Sequence, residues 1–322
     1  MKNDYIYAAS RIRALGQHLF GRQELEQLLS AGSIREALKI LRDRGFGKGG
    51  PGAEDLLRQE EEKTWKLAEE VLTDPSVLDP LKYQYDFHNL KAAVKVIQAG
   101  TKFSPERLFV SGGTLPWQKI LKCAEKREFS ALPPKLAEAG EEGGKILLRT
   151  GDGQLTDAVI DRHFLEALYQ AGKNQREKGL KGYAVAFVGA ADIRTALRAG
   201  KTGRTSAFLR QALAPVKELD IKTLARAALE GRKKLAQYLE HTEFSGAGEA
   251  VLTSDLAFEN WCGELISART RCRKNDFFTA GPLVVYILEK RKEIRRVGLI
   301  LTAKENKLPE KEVRERLGER YA

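Results

Sequence analysis

The sequence contains few of the residues that build cross-links and metal sites. Its 322 residues include three cysteines, at positions 123, 262 and 272, and four histidines. The cysteines are too few and too far apart for a disulfide framework or a Cys-x-x-Cys metal site, and no two histidines form a helical His-x-x-x-His pair. We therefore expect no metal and no cofactor, cysteines that pack as small apolar side chains, and a chain suited to a reducing cytoplasm.

Long hydrophobic runs are also missing. The longest, residues 183–191, is far shorter than the roughly 18 residues of a membrane-spanning helix. Residues 1–5 do not begin a signal peptide, because no apolar segment with a small-residue cleavage site follows them. The sequence therefore predicts that any membrane role is peripheral.

Alternating strand patterns with hairpin turns do not occur. The run 183–188, Tyr-Ala-Val-Ala-Phe-Val, is compatible with a buried strand, but a lone strand has no partner to pair with, so a helix is favoured. Elsewhere apolar residues recur at intervals of three and four, as on one face of a helix. The sequence predicts an all-α fold, and its length suits two or three domains.

Capping residues and prolines place the predicted helices. Ser33 and Glu36 form a capping box, and Pro105 and Pro282 each stand in a first helical turn. Three glycine-rich stretches are predicted to be loops: 45–52, 141–153 and 246–248. Helices are predicted at about 5–20, 24–29, 33–44, 53–72, 86–100, two short ones within 104–126, then 156–179, 182–199, 206–213, 221–229, 234–239, 254–274, 281–302 and 310–317.

One helical motif recurs at nearly equal spacing. Asn-Leu-Lys at 89–91 is followed by Asp-Ile-Arg at 192–194 and Glu-Ile-Arg at 293–295, which are 103 and 101 residues further on. Any single match is common on amphipathic helices, but three at a fixed period indicate a repeat. The sequence predicts three similar helical units, 1–104, 105–206 and 207–322, with a basic column of Lys91, Arg194 and Arg295.

Charge is unevenly distributed. The net charge is +11, yet residues 1–171 hold 25 basic and 25 acidic side chains, whereas residues 172–234 hold 15 and 5. A basic face attracts nucleic acid, anionic lipid or an acidic protein, although it also occurs as an ordinary solvated surface. Four residues on or just after the second repeat helix are candidate partner contacts: Arg194, Arg198, Lys201 and Arg204.

Motifs for catalysis are incomplete. Gly200-Lys201-Thr202 resembles the end of a phosphate-binding loop, but Thr195 replaces the required glycine and a predicted helix replaces the preceding strand. The glycine stretch after Phe46 has no hydroxyl residue following Lys48, and His88 is expected to be a helix-packing or hydrogen-bonding residue. No reaction centre is predicted, so we expect neither an enzyme nor a small-molecule substrate.

Several motifs together resemble one protein family. These are Tyr5-x-Tyr-x-x-x-Arg-Ile-Arg-Ala, Asp86-Phe-His-Asn-Leu-Lys, and the segment from Gly281-Pro-Leu to Glu293-Ile-Arg that runs on to Leu308-Pro309. The chain is similar over its whole length to the C subunit of archaeal and bacterial A/V-type rotary ATPases, a relative of the d subunit of the eukaryotic vacuolar ATPase. The middle motif, Asp192-Ile-Arg, departs from the usual Asn-Leu pairing.

The resemblance implies a non-catalytic subunit of the central stalk, or rotor. It implies a funnel of three helical bundles with pseudo-threefold symmetry on the cytoplasmic face of the membrane. There the protein joins the D and F shaft to the proteolipid ring and transmits torque between ATP chemistry and ion transport. The basic stretch would attract an acidic shaft or anionic lipid headgroups. A basic helical nucleic-acid-binding protein or adaptor is the alternative, although no basic recognition helix stands out.

Overall fold

The computed structural model describes residues 2–47, 52–100, 104–175, 177–271 and 277–317. These residues contain no β-strand, only an isolated bridge between Val216 and Leu219. The predicted all-α fold is confirmed. The α-helices are α1 Lys2–Gly16, α2 Arg22–Ser30, α3 Ile34–Asp43, α4 Ala53–Val71, α5 Asp79–Ala99, α6 Pro105–Leu108, α7 Trp117–Lys126, α8 Pro134–Thr150, α9 Gly153–Asn174, α10 Lys178–Lys201, α11 Ser206–Ala212, α12 Ile221–Glu230, α13 Arg232–Glu240, α14 Gly246–Thr253, α15 Asp255–Thr270, α16 Gly281–Glu305 and α17 Glu310–Leu317.

The helices form two compact units, and the first is discontinuous in sequence. Unit 1 combines Met1–Pro75 with Arg271–Ala322. In it α16 packs against α1, α2, α3, α4 and α17, so the last long helix completes the core of the first four. The buried residues of this core include Leu25, Leu28, Leu41, Phe46, Leu56, Val297 and Ile300.

Unit 2, Ser76–Thr270, contains two core clusters. The first is built by α5, α7, α8 and α9, and the second by α10 to α15. Helix α9 contacts both α5 and α10, so it lies between the two clusters. The fully buried residues include Leu90, Ile120 and Ile160 in the first cluster and Ile193, Phe244 and Phe258 in the second.

The predicted loop at 141–153 is wrong. Residues 134–150 form α8, in spite of three glycines at positions 140, 143 and 144. Two of these glycines have a packing role, because a Cβ on Gly140 would lie 2.4 Å from the Phe129 ring and one on Gly143 would lie 2.8 Å from Ile160. Close contact with neighbours therefore offsets the roughly 1 kcal/mol by which glycine disfavours a helix relative to alanine.

Other boundaries differ as well. Residues 246–248 were predicted to be a loop, but α14 begins at Gly246, where a Cβ on Gly248 would press to 3.1 Å from the Ala236 carbonyl oxygen. Helix α1 ends at Gly16 rather than near residue 20. The predicted strand-or-helix run 183–188 lies within α10 and is helical.

Cys123 and Cys262 are buried among apolar neighbours as expected, whereas Cys272 and Lys48 lie outside the described residues. Burial raises the pKa of the Cys262 thiol to about 12. The predicted unit bounds at 104 and 206 fall within the spans of the two cores of unit 2. The division into three similar units with pseudo-threefold symmetry stays a prediction.

Candidate partner-contact region

The long helices of unit 2 alternate in direction. Lys91 and Lys95 of α5 pair with Asp161 and Asp157 of α9, at 2.7 and 3.0 Å. The residue numbers rise along α5 while those of their partners fall along α9, so the two helices are antiparallel. Gly172 near the end of α9 faces Ala184 near the start of α10, so this pair is antiparallel too.

Helix α10 meets α15 in the same way. The Arg194 guanidinium donates two hydrogen bonds of 2.7 Å to the Glu259 carboxylate, and Lys201 pairs with Asp255 at 2.9 Å. Because α5 and α10 are parallel to each other, both finish at the end of unit 2 where α9 and α15 begin. We call this the α9/α15 end.

Buried polar side chains of α5 and α10, the helices that carry the first two motifs, form hydrogen bonds with the loops that come later in the chain. The Asn89 side chain accepts the Val110 N–H and donates to the Val110 carbonyl, both at 2.9 Å. Asp192, its predicted counterpart, accepts the Ala214 N–H at 3.0 Å. Val110 and Ala214 each lie two residues beyond the short helix that follows, so these two side chains make similar contacts.

Burial controls the ionisation of these groups. Asp192 is fully buried, and its second carboxyl oxygen has no hydrogen-bond partner among the described residues. Burial raises the pKa of Asp192 well above its ordinary value. Burial likewise raises the pKa of Asp86 and lowers that of His88. The His88 ring contacts the Leu108 carbonyl at 3.2 Å, which fits the predicted hydrogen-bonding role.

The third motif lies in unit 1 and contains a buried ionic group. Lys290 of α16 lies 2.6 Å from Glu60 of α4 and 3.0 Å from Glu293, and all three are buried. Burial alone would lower the pKa of Lys290, but the carboxylates of Glu293 and Glu60 outweigh it and the pKa is raised. Burial raises the pKa of Glu293, the counterpart of Asn89 and Asp192 in the predicted repeat.

The structure separates the four candidate partner contacts. Arg194 is engaged internally by Glu259, so its positive charge is neutralised within unit 2. Lys201 is exposed but paired with Asp255, which also accepts from Arg232. Arg198 is exposed, and Arg204 donates to Gln154 and stacks on Phe208.

Arg198 and Arg204 line one open depression of about 430 Å³ at the α9/α15 end, together with Gln154, Thr202 and Phe208. The structure thus brings two of the four candidates to one concave surface. Which residues of the chain contact a partner stays a prediction.

Sequence reasoning missed an apolar component at this end. Leu148, Leu229, Leu252 and Leu256 are exposed. Each lies within the last two turns of a short or glycine-rich helix or at the start of the next one. These exposed leucines could have been predicted from the sequence as leucines that lie outside the apolar stripe of such a helix.

Within the described residues, no group of three or more His, Cys, Asp or Glu side chains is arranged to hold a metal ion. No helix in the described ranges combines the length and the apolar character that a membrane crossing requires.

Comparison with known families identifies the chain's relatives. The family model of the ATP synthase (C/AC39) subunit matches residues 8–316. The chain belongs to this family. The recognition made from the sequence motifs is therefore confirmed, and the chain is a structural subunit of a V-type ATPase rather than an enzyme.

Individual relatives agree with the family assignment. The chain is 22% identical over 323 residues to the C subunit of the V-type sodium ATPase of Enterococcus hirae, covering 96% of this chain and 97% of that protein. It is 24% identical over 209 residues to the C subunit of the V-type ATP synthase of two Thermus thermophilus strains, covering 62% of this chain and 64% of theirs. The similarity to the first relative spans nearly both whole chains.

Proposed function

We propose that this chain is a non-catalytic rotor protein in the central stalk of an A/V-type ATPase or ATP synthase. It joins the D and F shaft to the membrane ring that translocates ions, and it transmits torque between them. It sits peripherally on the cytoplasmic face of the membrane. The family match across residues 8–316 carries this proposal.

The internal construction of unit 2 supports a coupling role, because a body that transmits torque must resist bending. Adjacent long helices are joined by paired side chains, Lys91 with Asp161 in one bundle and Arg194 with Glu259 in the next. Asn89 and Asp192 tie the following loops to their helices. Densely packed apolar cores deform little, so each bundle is suited to move as a rigid body.

The basic surface supports attraction of a partner. Exposed ion pairs contribute only about 0–1 kcal/mol each, so charge orients a partner and apolar contacts hold it. Arg198, Lys201 and Arg204 are placed to attract an acidic shaft or anionic lipid headgroups beside the ring. Arg194 is assigned an internal role, because Glu259 already satisfies its guanidinium.

The test is a purification of the tagged chain from gently solubilised membranes of its own organism. Recovery of shaft and ring proteins in constant proportion is the expected result. A clean preparation that contains neither would contradict the rotor role. A parallel gel-shift assay addresses the alternative: tight, strongly salt-dependent binding of nucleic acid would favour a nucleic-acid-binding protein.

A further inference from the structure

Exposed apolar side chains of unit 2 concentrate at the α9/α15 end. Among the described residues of unit 2, five large apolar side chains are exposed, and four of them lie here: Leu148, Leu229, Leu252 and Leu256. Leu148 and Leu252 are each 50% exposed. Surface leucines scattered singly need no explanation, but a group at one end of a unit indicates an interaction site.

Contacts between the helix ends place three of these leucines around one ionic group. The Arg232 guanidinium donates to the Val251 carbonyl at 2.8 Å and pairs with Asp255, which also pairs with Lys201. Leu252 follows Val251 and Leu256 follows Asp255. Leu229 follows Ala228, whose carbonyl oxygen lies 2.3 Å from a Cβ built on Gly200. The ends of α10, α12 and α14 and the start of α15 therefore meet here.

The fourth leucine borders a concave apolar pocket. Leu148 lines a cavity of about 270 Å³ with Val94, Ile97, Phe129 and Leu147. Arg127, Glu141 and Lys145 form its polar rim, with Lys145 3.6 Å from Glu141. A pocket of this size and lining accepts an apolar side chain of a partner.

Exposed arginines without an ion pair also lie at this end. Asp157 and Asp255 are paired with lysine or arginine, and Asp152 caps α9 by accepting its first N–H groups. By contrast, Arg127, Arg149 and Arg198 are exposed and form no ion pair within the described ranges. Glu125, Glu128 and Glu230 are also exposed here, so these three arginines lie in a surface of mixed charge.

We propose that the α9/α15 end of unit 2 is a docking surface for an acidic protein partner that inserts an apolar side chain beside Leu148. The proposal rests on the rotor role and identifies the chemistry of one rotor neighbour. A concave pocket bordered by arginine fits a protein better than a bilayer, because insertion into lipid requires apolar side chains that protrude. Charge orients the partner, and the leucines hold it.

The experiment measures binding of the purified chain to two protein probes, the D–F shaft and the detergent-solubilised ring of the same organism. The first variant, Arg198→Glu with Arg149→Glu, is expected to weaken binding to one probe about tenfold at low salt and much less at about 0.5 M salt, where exposed charges are screened. The second, Leu148→Ser with Leu252→Ser, is expected to weaken the same binding about tenfold at either salt concentration.

The matched control is Lys173→Glu with Lys178→Glu, which changes the charge equally at the opposite end of unit 2. It is expected to bind like the wild type, and thermal melting checks that every variant is folded. If both test variants bind both probes normally, the docking surface is wrong and the rotor role stands. If the wild type binds neither probe, both proposals fail.

A third arm uses vesicles that contain anionic phosphatidylglycerol. Loss of vesicle binding in the test variants, with shaft and ring binding unchanged, would overturn the proposal in favour of a lipid surface. Vesicle binding that is absent or unaffected, together with reduced binding to one protein probe, supports it.

Discussion

At the scale of single residues, the unusual groups are buried carboxyls. Asp192 aligns with Asn89 when the two motifs are superimposed in sequence. Both side chains are fully buried, and each accepts a hydrogen bond from a loop N–H. An amide is neutral at every pH, whereas a carboxyl must keep its proton to be neutral. Burial and, to a smaller extent, Glu166 raise the pKa of Asp192 and so favour its protonated form.

Asp192→Asn is expected to stabilise the protein at neutral pH. The folded-state pKa of Asp192 is raised above the ordinary value of 3.8, so its stabilising contribution is complete below pH 3.8 and is lost as pH rises towards the folded-state pKa. One such group changes the unfolding free energy by at most about 1.4 kcal/mol per pH unit. The unfolding free energies of the two proteins, measured with urea, should coincide near pH 3.8 and diverge as the pH rises. A constant difference between them at every pH would contradict this account.

Lys290→Met is expected to destabilise the protein strongly, because it leaves Glu293 buried without its cation and leaves Glu60 only Lys63 at 3.3 Å. Removing one partner of a buried ionic group costs roughly 3–5 kcal/mol. The control is Lys292→Met on the same helix, where the pair with Glu289 is half-exposed and 3.8 Å long, so the loss should stay below about 1 kcal/mol. Equal losses in urea unfolding would show that burial of the cluster is unimportant.

At the scale of helices, glycine has a packing role in α10. A Cβ on Gly182 would lie 2.1 Å from the Arg269 carbonyl oxygen, and one on Gly189 would lie 2.1 Å from the Phe244 ring. The interfaces with α15 and with Phe244 therefore depend on glycine, although glycine weakens an isolated helix. The same reasoning explains why a sequence rich in glycine still forms α8.

Gly182→Ala is expected to destabilise unit 2 by about 1–3 kcal/mol, because the added methyl group must push α15 away. The matched control is Gly263→Ala on α15, where nothing lies within 4 Å of the added Cβ. It should stabilise the protein by up to about 1 kcal/mol through helix propensity. Thermal melting of the two variants provides the comparison, and a shift in the same direction for both would refute the packing role.

Local signals predicted most helices because their causes are local. Ser33 caps α3 as expected, accepting the Glu36 N–H at 3.2 Å, although Glu36 reaches back to Gly32 rather than to Ser33. The helices predicted at 281–302 and 310–317 correspond to α16, Gly281–Glu305, and α17, Glu310–Leu317. The two loops predicted in place of helices fall on glycine-rich α8 and α14, where contacts with distant residues outweigh local preference.

At the scale of the whole chain, the core of unit 1 is formed by an N-terminal and a C-terminal segment together. Helices α2 to α4 share their core with Val297, Ile300 and Leu301 of α16, so neither segment contains a complete core. Unit 2, by contrast, is continuous between Ser76 and Thr270. The two units therefore differ in how they respond to cutting the chain.

A fragment of residues 76–270 is expected to fold alone and to unfold cooperatively. A fragment of residues 1–75 should remain largely unfolded until residues 271–322 are added. Circular dichroism of each fragment and of the mixture checks both expectations. A folded 1–75 fragment without its partner segment would contradict the shared core.

The candidate surface was only partly accessible from the sequence. Clustered charge pointed to Arg198 and Arg204, which do line one depression. The same reasoning grouped Arg194 with them, yet Arg194 binds Glu259, 65 residues away. Exposed Leu148 and Leu252 were missed, because whether a leucine is buried depends on which helices cover it, and that is set by non-local packing.

The sequence by itself determined the helical class, most helix positions, the motif at 89, 192 and 293, and the family. These depend on local periodicity, capping residues and short sequence motifs, each of which extends over only one or two helical turns. Only the tertiary structure decided that the ends of the chain share one core, that burial raises the pKa of Asp192, and that arginines and leucines meet at one end of unit 2. Those properties depend on contacts between residues far apart in sequence.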